Sequence, residues 1–142
     1  MGYHSYINRF IFKSILPEKK LTQAWDRFIS ELTEDNRNSM NQYYGFDYQG
    51  SEGRKLHKYV LWVKNDEAGR YEDAELLAMF VSSVIAQKTH TLIEVETGSN
   101  EMWGYLVVPG KIYDLNYSVT IDVSGMPLEE FLKSLKEPSD EN

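Results

Sequence analysis

The spacing of apolar and polar positions predicts a chain of mixed helices and strands. Residues 17–34 and 71–88 repeat apolar positions every three to four residues, as amphipathic helices do. Six further segments are rich in aromatic and β-branched residues, which favour strands. These predicted strands cover 5–13, 43–48, 55–64, 91–96, 102–108 and 111–123. Residues 35–42 have the composition of a polar connection, and 128–135 has the spacing of a short third helix.

The order of these elements predicts the fold class. Short turns, including Pro109-Gly110, join most successive strands, so the sheet should be mainly antiparallel. Two helices with one apolar face each can cover only one side of it. The sequence therefore predicts an α+β two-layer sandwich of about six strands, with two main helices on one face and a short C-terminal helix. It further predicts a single domain over 1–136 and a disordered tail over 137–142.

The segment NQYYGFDYQG, at 41–50, holds the densest run of aromatic residues. Tyr44, Phe46 and Tyr48 stand two apart, so in a strand they share one face. One interpretation is an edge strand whose rings pack across a hairpin with 55–64. The other is a recognition loop, in which the tyrosines and Arg54 stack on a nucleobase or dock on a protein.

A second aromatic pair, Trp103 and Tyr105, shares one face of the strand at 102–108. If Leu106 and Val108 belong to the core, this pair points outward and resembles the aromatic anchors of protein interfaces. In the alternative, the pair faces the helices. The sequence leaves both orientations open.

Two carboxylates, Glu94 and Glu96, alternate with apolar residues along the strand at 91–96. The pattern favours carboxylates that point to water on an open sheet face, where Asp114 and Asp122 could join them in an acidic platform. Buried together, paired carboxylates would instead split their pKa values and could do acid–base chemistry.

The composition and motifs argue against several kinds of functional site. Cysteine is absent, which excludes disulfides, thiolate zinc sites and a cysteine nucleophile, and fits a reducing cytoplasm. His4, His57 and His90 lack metal-ligand spacing. The stretch QGSEGRK lacks the phosphate-loop pattern and precedes a hairpin instead of a helix. The sequence therefore predicts a protein that is not an enzyme and holds no cofactor or metal.

The net charge of -7 is unevenly distributed. Residues 1–64 hold 10 Lys and Arg against 7 Asp and Glu, whereas 65–101 hold 2 against 8. This asymmetry fits simple solubility, or steering of a basic partner toward the acidic part. An acidic chain binds phosphates poorly, and no apolar run approaches the ~20 residues that span a bilayer. We therefore expect neither direct nucleic-acid binding nor membrane insertion, and homo-oligomerisation stays open.

The segments MGYHSYI, YEDAELLAMFVSSVI and WGYLVVPGKI resemble those of a group of small uncharacterised phage and bacterial proteins that begin with MGYH. The resemblance follows the element order over most of the chain and is close in residues 1–4. It implies a phage or prophage setting, where small acidic proteins often bind a host protein. Some inhibit antiviral defence, and others sequester a nucleotide signal.

These observations together predict a binding protein that engages and inhibits a host defence protein. The alternative is a protein that binds a nucleotide-type small molecule between Tyr44, Tyr48 and Arg54. The predicted partner- or ligand-binding residues are Tyr44, Phe46, Tyr48, Arg54, Glu94, Glu96, Trp103 and Tyr105.

Overall fold

The computed structural model describes residues 6–64, 71–96 and 102–116. The helices are α1 Glu18–Ser30, α2 Glu34–Tyr43 and α3 Tyr71–Val84. The strands are β1 Tyr6–Ile7, β2 Ile11–Ser14, β3 Tyr44–Glu52, β4 Leu56–Val63, β5 Thr91–Glu96, β6 Met102–Val108 and β7 Lys111–Asn116. All paired strands are antiparallel, so the predicted α+β class is confirmed. The helix predicted over 128–135 and the tail lie outside the described residues.

The strands divide between two sheets, where the sequence predicts one. One sheet has the order β1-β5-β6-β7 and the other β2-β4-β3. The predicted first strand contributes to both. Between its two parts, the Asn8 N–H donates to the Glu94 carbonyl at 2.8 Å, and the Phe10 carbonyl accepts from the Leu61 N–H at 2.9 Å. The chain therefore leaves one sheet and enters the other within three residues.

The predicted hairpin forms between β3 and β4. Phe46 lies opposite Leu61 and Tyr48 opposite Tyr59, which places the alternate aromatic residues of β3 on one face. The register shifts between Tyr48 and Ser51, where Gly50 has a φ of 102°. Glycine adopts this conformation without the steric cost that other residues incur.

Helix α2 corrects the sequence analysis, which predicts a polar connection over 35–42. The Thr33 side chain caps the helix by accepting from the Asn36 N–H at 3.4 Å. Glu34 and Asp35 in the first turn complement the positive end of the helix. Met40 is completely buried. Because most of its other residues are polar, this helix depends on its cap and on tertiary contacts more than on an amphipathic stripe.

The larger of two hydrophobic clusters among the described residues connects both sheets and all three helices. Helix α3 contacts β5, β6 and β7, in agreement with its predicted position against a sheet. Its Phe80 ring packs against Trp25 of α1 and Phe46 of β3, with centroids 4.9 and 5.7 Å away. Phe12 of β2 joins this cluster at 5.4 Å from Phe46. Phe80 thus ties α3 to the second sheet.

Candidate functional site

The first aromatic residue of β3 belongs to a buried polar cluster. The Tyr44 hydroxyl donates to Asp73 Oδ2 at 2.9 Å, and the Ser39 hydroxyl lies 3.1 Å from both carboxylate oxygens. All three residues are buried. The cluster joins α2, β3 and the first turn of α3. Tyr44 therefore stabilises the core and offers no surface to a ligand.

Of the next aromatic residues of β3, Phe46 packs on α1 and Tyr48 packs across the hairpin. Phe46 meets Trp25 edge-on at 5.2 Å between centroids, and Tyr48 lies 5.5 Å from Tyr59. The Tyr48 hydroxyl and His57 Nδ1 are hydrogen-bonded at 2.9 Å. These contacts agree with the edge-strand interpretation of the aromatic run. Arg54 lies exposed on the hairpin turn, and the structure does not join it to these rings in a stacking site.

Trp103 and Tyr105 face the helices, so the second of their two predicted orientations is observed. Both side chains are half-buried against the main core. Tyr105 lies opposite buried Ile93 on β5 and opposite Asp114 on β7. Burial raises the pKa of Tyr105, and the negative charges of Glu75 on α3 and of Asp114 raise it further. The ring therefore lies next to α3 and does not project from an open sheet face.

The predicted acidic platform of Glu94, Glu96 and Asp114 does not form. Directly opposed residues of antiparallel strands point to the same face. Asp114 lies opposite Tyr105, so it shares the face that turns toward α3. Glu94 and Glu96 alternate with the buried residues of β5 and point the other way. Glu96 is exposed and Glu94 half-buried, while Asp122 lies outside the described residues.

The face that carries Glu94 is apolar and buried at its centre. Leu106 and Val108 of β6 are buried there and form a second small cluster. Leu92, Tyr113 and Leu115 pack against them. Both faces of β6 are therefore buried, and the open side predicted for this sheet is not found at its centre.

The open sheet face lies instead on the other sheet, on the side of β2-β4-β3 that points away from the helices. Ile11 is 52% exposed and Trp62 is 44% exposed. Half-buried Val60 lies opposite Ile11 and two residues before Trp62 on the same face. We name this surface the Trp62 face, and it comprises Ile11, Lys13, Asp47, Glu52, Lys58, Val60 and Trp62. Exposed Asp47 lies opposite Val60.

The charged end of the Trp62 face is an ion-pair network. Lys13 Nζ lies 2.9 Å from Glu52 Oε1, and Lys58 Nζ lies 3.6 Å from Glu52 Oε2. The hydrogen bond and positive charge of Lys13, with a smaller contribution from Lys58, lower the pKa of Glu52. Two cations share one carboxylate, so this end of the face carries a net positive charge.

The apolar end of the Trp62 face owes its shape to a glycine. Gly45 lies opposite Trp62, and a Cβ at that position would lie 3.6 Å from Trp62 Cε3. The indole therefore lies close to the bare backbone of β3. Lys64 Nζ is 5.9 Å from the Trp62 ring centroid, within the range of a cation–π contact. A flat apolar surface with a cation beside it results.

The sequence does carry a signal for this surface. Lys58, Val60 and Trp62 alternate along β4 and Lys64 directly follows the strand, so a cation stands on each side of Val60 and Trp62. Both faces of 55–64 are apolar at the centre, and this pattern correctly predicts a strand inside a sheet. Which face the helices cover depends on contacts distant in sequence, and the alternation alone does not specify them.

The described residues include no group of three or more histidines and carboxylates that could hold a metal ion. None of the helices described here is long and apolar enough to cross a membrane. Comparison with models of protein families, with curated proteins and with solved structures finds no match. The Trp62 face, on which Ile11 and Trp62 are both exposed, is the candidate functional site.

Proposed function

We propose that this chain is a non-enzymatic binding protein that engages a partner protein through the Trp62 face. The observation that carries the proposal is the exposure of Trp62 and Ile11 on one sheet face. Exposed apolar residues that stand singly are common, but a cluster on a regular surface marks a contact site. Tryptophan is also strongly enriched among residues that dominate binding energy.

The arrangement of the face matches the anatomy of protein interfaces. Ile11, Val60 and Trp62 form an apolar strip next to the carboxylate of Asp47, and one end of the face carries the charges of Lys13, Lys58 and Glu52. Lys64, beside Trp62, donates to the Asn41 carbonyl at 3.0 Å and forms no ion pair with any described residue. A partner surface with an apolar pocket for the indole and a carboxylate at its border would complement this layout.

The phage setting that the resemblance implies would make the partner a host protein. Occupation of a functional surface on a host defence protein would inhibit that protein. The alternative, a nucleotide-type ligand, requires Tyr44 and Tyr48 to offer open ring faces beside Arg54. Tyr44 is buried and Tyr48 packs on Tyr59, so the geometry favours a protein partner.

The test compares the natural chain with Trp62→Ala in cross-linking capture from bacterial lysate, followed by binding measurements with the purified partner. We expect one host protein to be captured by the natural chain. Its dissociation constant should rise about 30-fold with Trp62→Ala, because truncation of an interface hot spot costs about 2 kcal/mol.

Met79→Ala is the matched control, because Met79 is a large apolar residue that is 47% exposed on α3, outside the Trp62 face. This variant should bind like the natural chain. Thermal denaturation should show that both variants fold. The proposal would be contradicted if the folded Trp62→Ala variant bound every captured protein as tightly as the natural chain does.

A further inference from the structure

A groove beside α1 and the C-terminal end of α3 forms a concave surface, in contrast to the flat Trp62 face. Two adjoining cavities, of about 370 and about 490 Å³, share Leu16, Ser83 and Val84. Together they run from the last turns of α1 toward Leu56 at the start of β4. We name this surface the α1–α3 groove. Helix α1 lines only the larger cavity, and α3 contributes residues near its C-terminal end, Phe80, Ser83 and Val84. The two cavities are large enough for side chains of another molecule.

The lining of the α1–α3 groove is apolar below and cationic at one edge. Ala24, Phe28 and Phe80 contribute the apolar floor beside Val84 and Leu16. Lys20 and Arg27 line the edge formed by α1, and both are exposed. Neither forms an ion pair with any described residue. The groove thus offers apolar contact and positive charge that the described part of the chain does not neutralise.

The two cations stand at a defined spacing. Lys20 and Arg27 are seven residues apart on one helix, which corresponds to two turns and about 10.5 Å along its axis. Glu31 lies one turn further and also lines the groove. The charges along this edge are therefore positive at Lys20 and Arg27 and negative at Glu31.

We propose that the α1–α3 groove binds an amphipathic helix of a partner protein, with apolar residues at i, i+3, i+4 and i+7 and acidic residues two turns apart. Such helices bind grooves by their apolar face. Carboxylates at a seven-residue spacing match the separation of Lys20 and Arg27. Glu31 disfavours a third carboxylate one turn beyond the residue that faces Arg27.

This site is separate from the Trp62 face. The inner face of the β2-β4-β3 sheet packs on α1 through Phe46 and Trp25, whereas the Trp62 face is the outer side of that sheet. The groove lies on the helical side. Loss of binding at one surface can therefore be distinguished from loss at the other.

The test uses two fluorescent synthetic peptides of about 18 residues and the full chain. Both carry leucine at i, i+3, i+4 and i+7. One carries glutamate at two positions seven residues apart, and the other carries lysine there. Fluorescence anisotropy should give tighter binding of the glutamate peptide by about tenfold, which two partly exposed charge pairs can supply.

The double variant Lys20→Glu/Arg27→Glu should reverse this preference in favour of the lysine peptide. Lys19→Glu makes the same type of charge change at an exposed residue of the same helical turn that does not line the groove, and it should alter affinity less than twofold. Ser83→Trp fills the part of the groove that both cavities share, so it should abolish binding of either peptide.

Four results would overturn the proposal, three of which concern comparisons between peptides or variants. They are equal binding of the two peptides, an effect of Lys19→Glu as large as that of the double variant, and unchanged binding to a folded Ser83→Trp variant. Absence of binding by the glutamate peptide at millimolar concentration would also overturn it. Trp62→Ala should leave peptide affinity unchanged, which separates this test from that of the proposed function.

Discussion

At the scale of single residues, buried hydroxyl groups show how this chain satisfies polar atoms inside an aromatic core. Tyr59 is buried, and its hydroxyl donates to the Leu16 carbonyl at 2.6 Å. Burial, with smaller contributions from Tyr48 and Glu18, raises the pKa of Tyr59 to about 12. The neutral hydroxyl is therefore part of the folded structure, as buried tyrosines require.

Substitution Tyr59→Phe tests this role. Loss of the hydrogen bond should lower the free energy of unfolding by about 1–2 kcal/mol near neutral pH. The folded pKa lies above the ordinary value of 10.0, so the contribution of neutral Tyr59 is complete below pH 10 and is lost as pH rises through about 12. Urea denaturation of the natural chain should therefore lose stability more steeply in that window than the variant. Parallel pH profiles for the two chains would contradict the assignment.

Residue spacing predicted which side chains share a face, but not what each face contacts. The two-residue spacing of Tyr44, Phe46 and Tyr48 places them on one side of β3, and the structure has them there. The same reasoning left Trp103 and Tyr105 with two orientations. Their orientation depends on α3, whose position relative to β6 is a long-range contact absent from local pattern.

At the scale of secondary structure elements, one glycine controls how closely two strands approach. A Cβ added to Gly104 of β6 would overlap the Ile93 carbonyl oxygen of β5 and lie 3.1 Å from Glu94 Cα. These are backbone atoms, so they cannot rotate away as a side chain can. The β5–β6 pairing therefore depends on glycine at this position.

Gly104→Ala should lower the free energy of unfolding by about 1–3 kcal/mol, because the overlap forces the strands apart. Gly45→Ala is a matched control in another strand, since its Cβ would make an ordinary contact 3.6 Å from Trp62 Cε3. We expect that control to change stability by less than about 0.5 kcal/mol. Chemical denaturation measures both. If Gly104→Ala changed the free energy of unfolding as little as Gly45→Ala, β5 and β6 would separate at little cost.

Elements with a strong local pattern were predicted well, and those fixed by distant contacts were not. Helices α1 and α3 and the β3–β4 hairpin follow directly from apolar spacing and turn residues. Helix α2 has almost no apolar stripe, and its main sequence signal is the Thr33 cap followed by Glu34 and Asp35. The division of the first strand between two sheets depends on pairing with β4 and β5, which no local window contains.

At the scale of the whole molecule, two sheets share one core. Helix α3 contacts three strands of the first sheet, and its Phe80 contacts Phe46 of the second. The turn residues predicted antiparallel neighbours correctly, but short turns do not determine whether successive hairpins join one sheet or two. The predicted open sheet face was consequently assigned to the wrong strands. The outer face of β2-β4-β3 is the exposed one.

Because Phe80 connects the two sheets through α3, truncation of its side chain should destabilise both sheets. Phe80→Ala should lower the free energy of unfolding by about 3–5 kcal/mol, as removal of a buried aromatic ring does. In hydrogen exchange, the slowest amides of β4 and of β5 should lose protection by the same amount, because one core implies one cooperative unit. Met79→Ala changes the adjacent residue of the same helix, which is 47% exposed, and should leave protection nearly unchanged.

The comparison between the sheets decides whether the molecule unfolds as one unit. If β4 lost protection in Phe80→Ala while β5 kept it, the sheets would be separate units that share a helix only by contact. Equal loss of protection would instead mean that the Trp62 face and the α1–α3 groove belong to one cooperative unit and unfold together. A partner bound at either surface would then protect both sheets from exchange to the same extent, since a ligand that binds only the native state stabilises the whole cooperative unit.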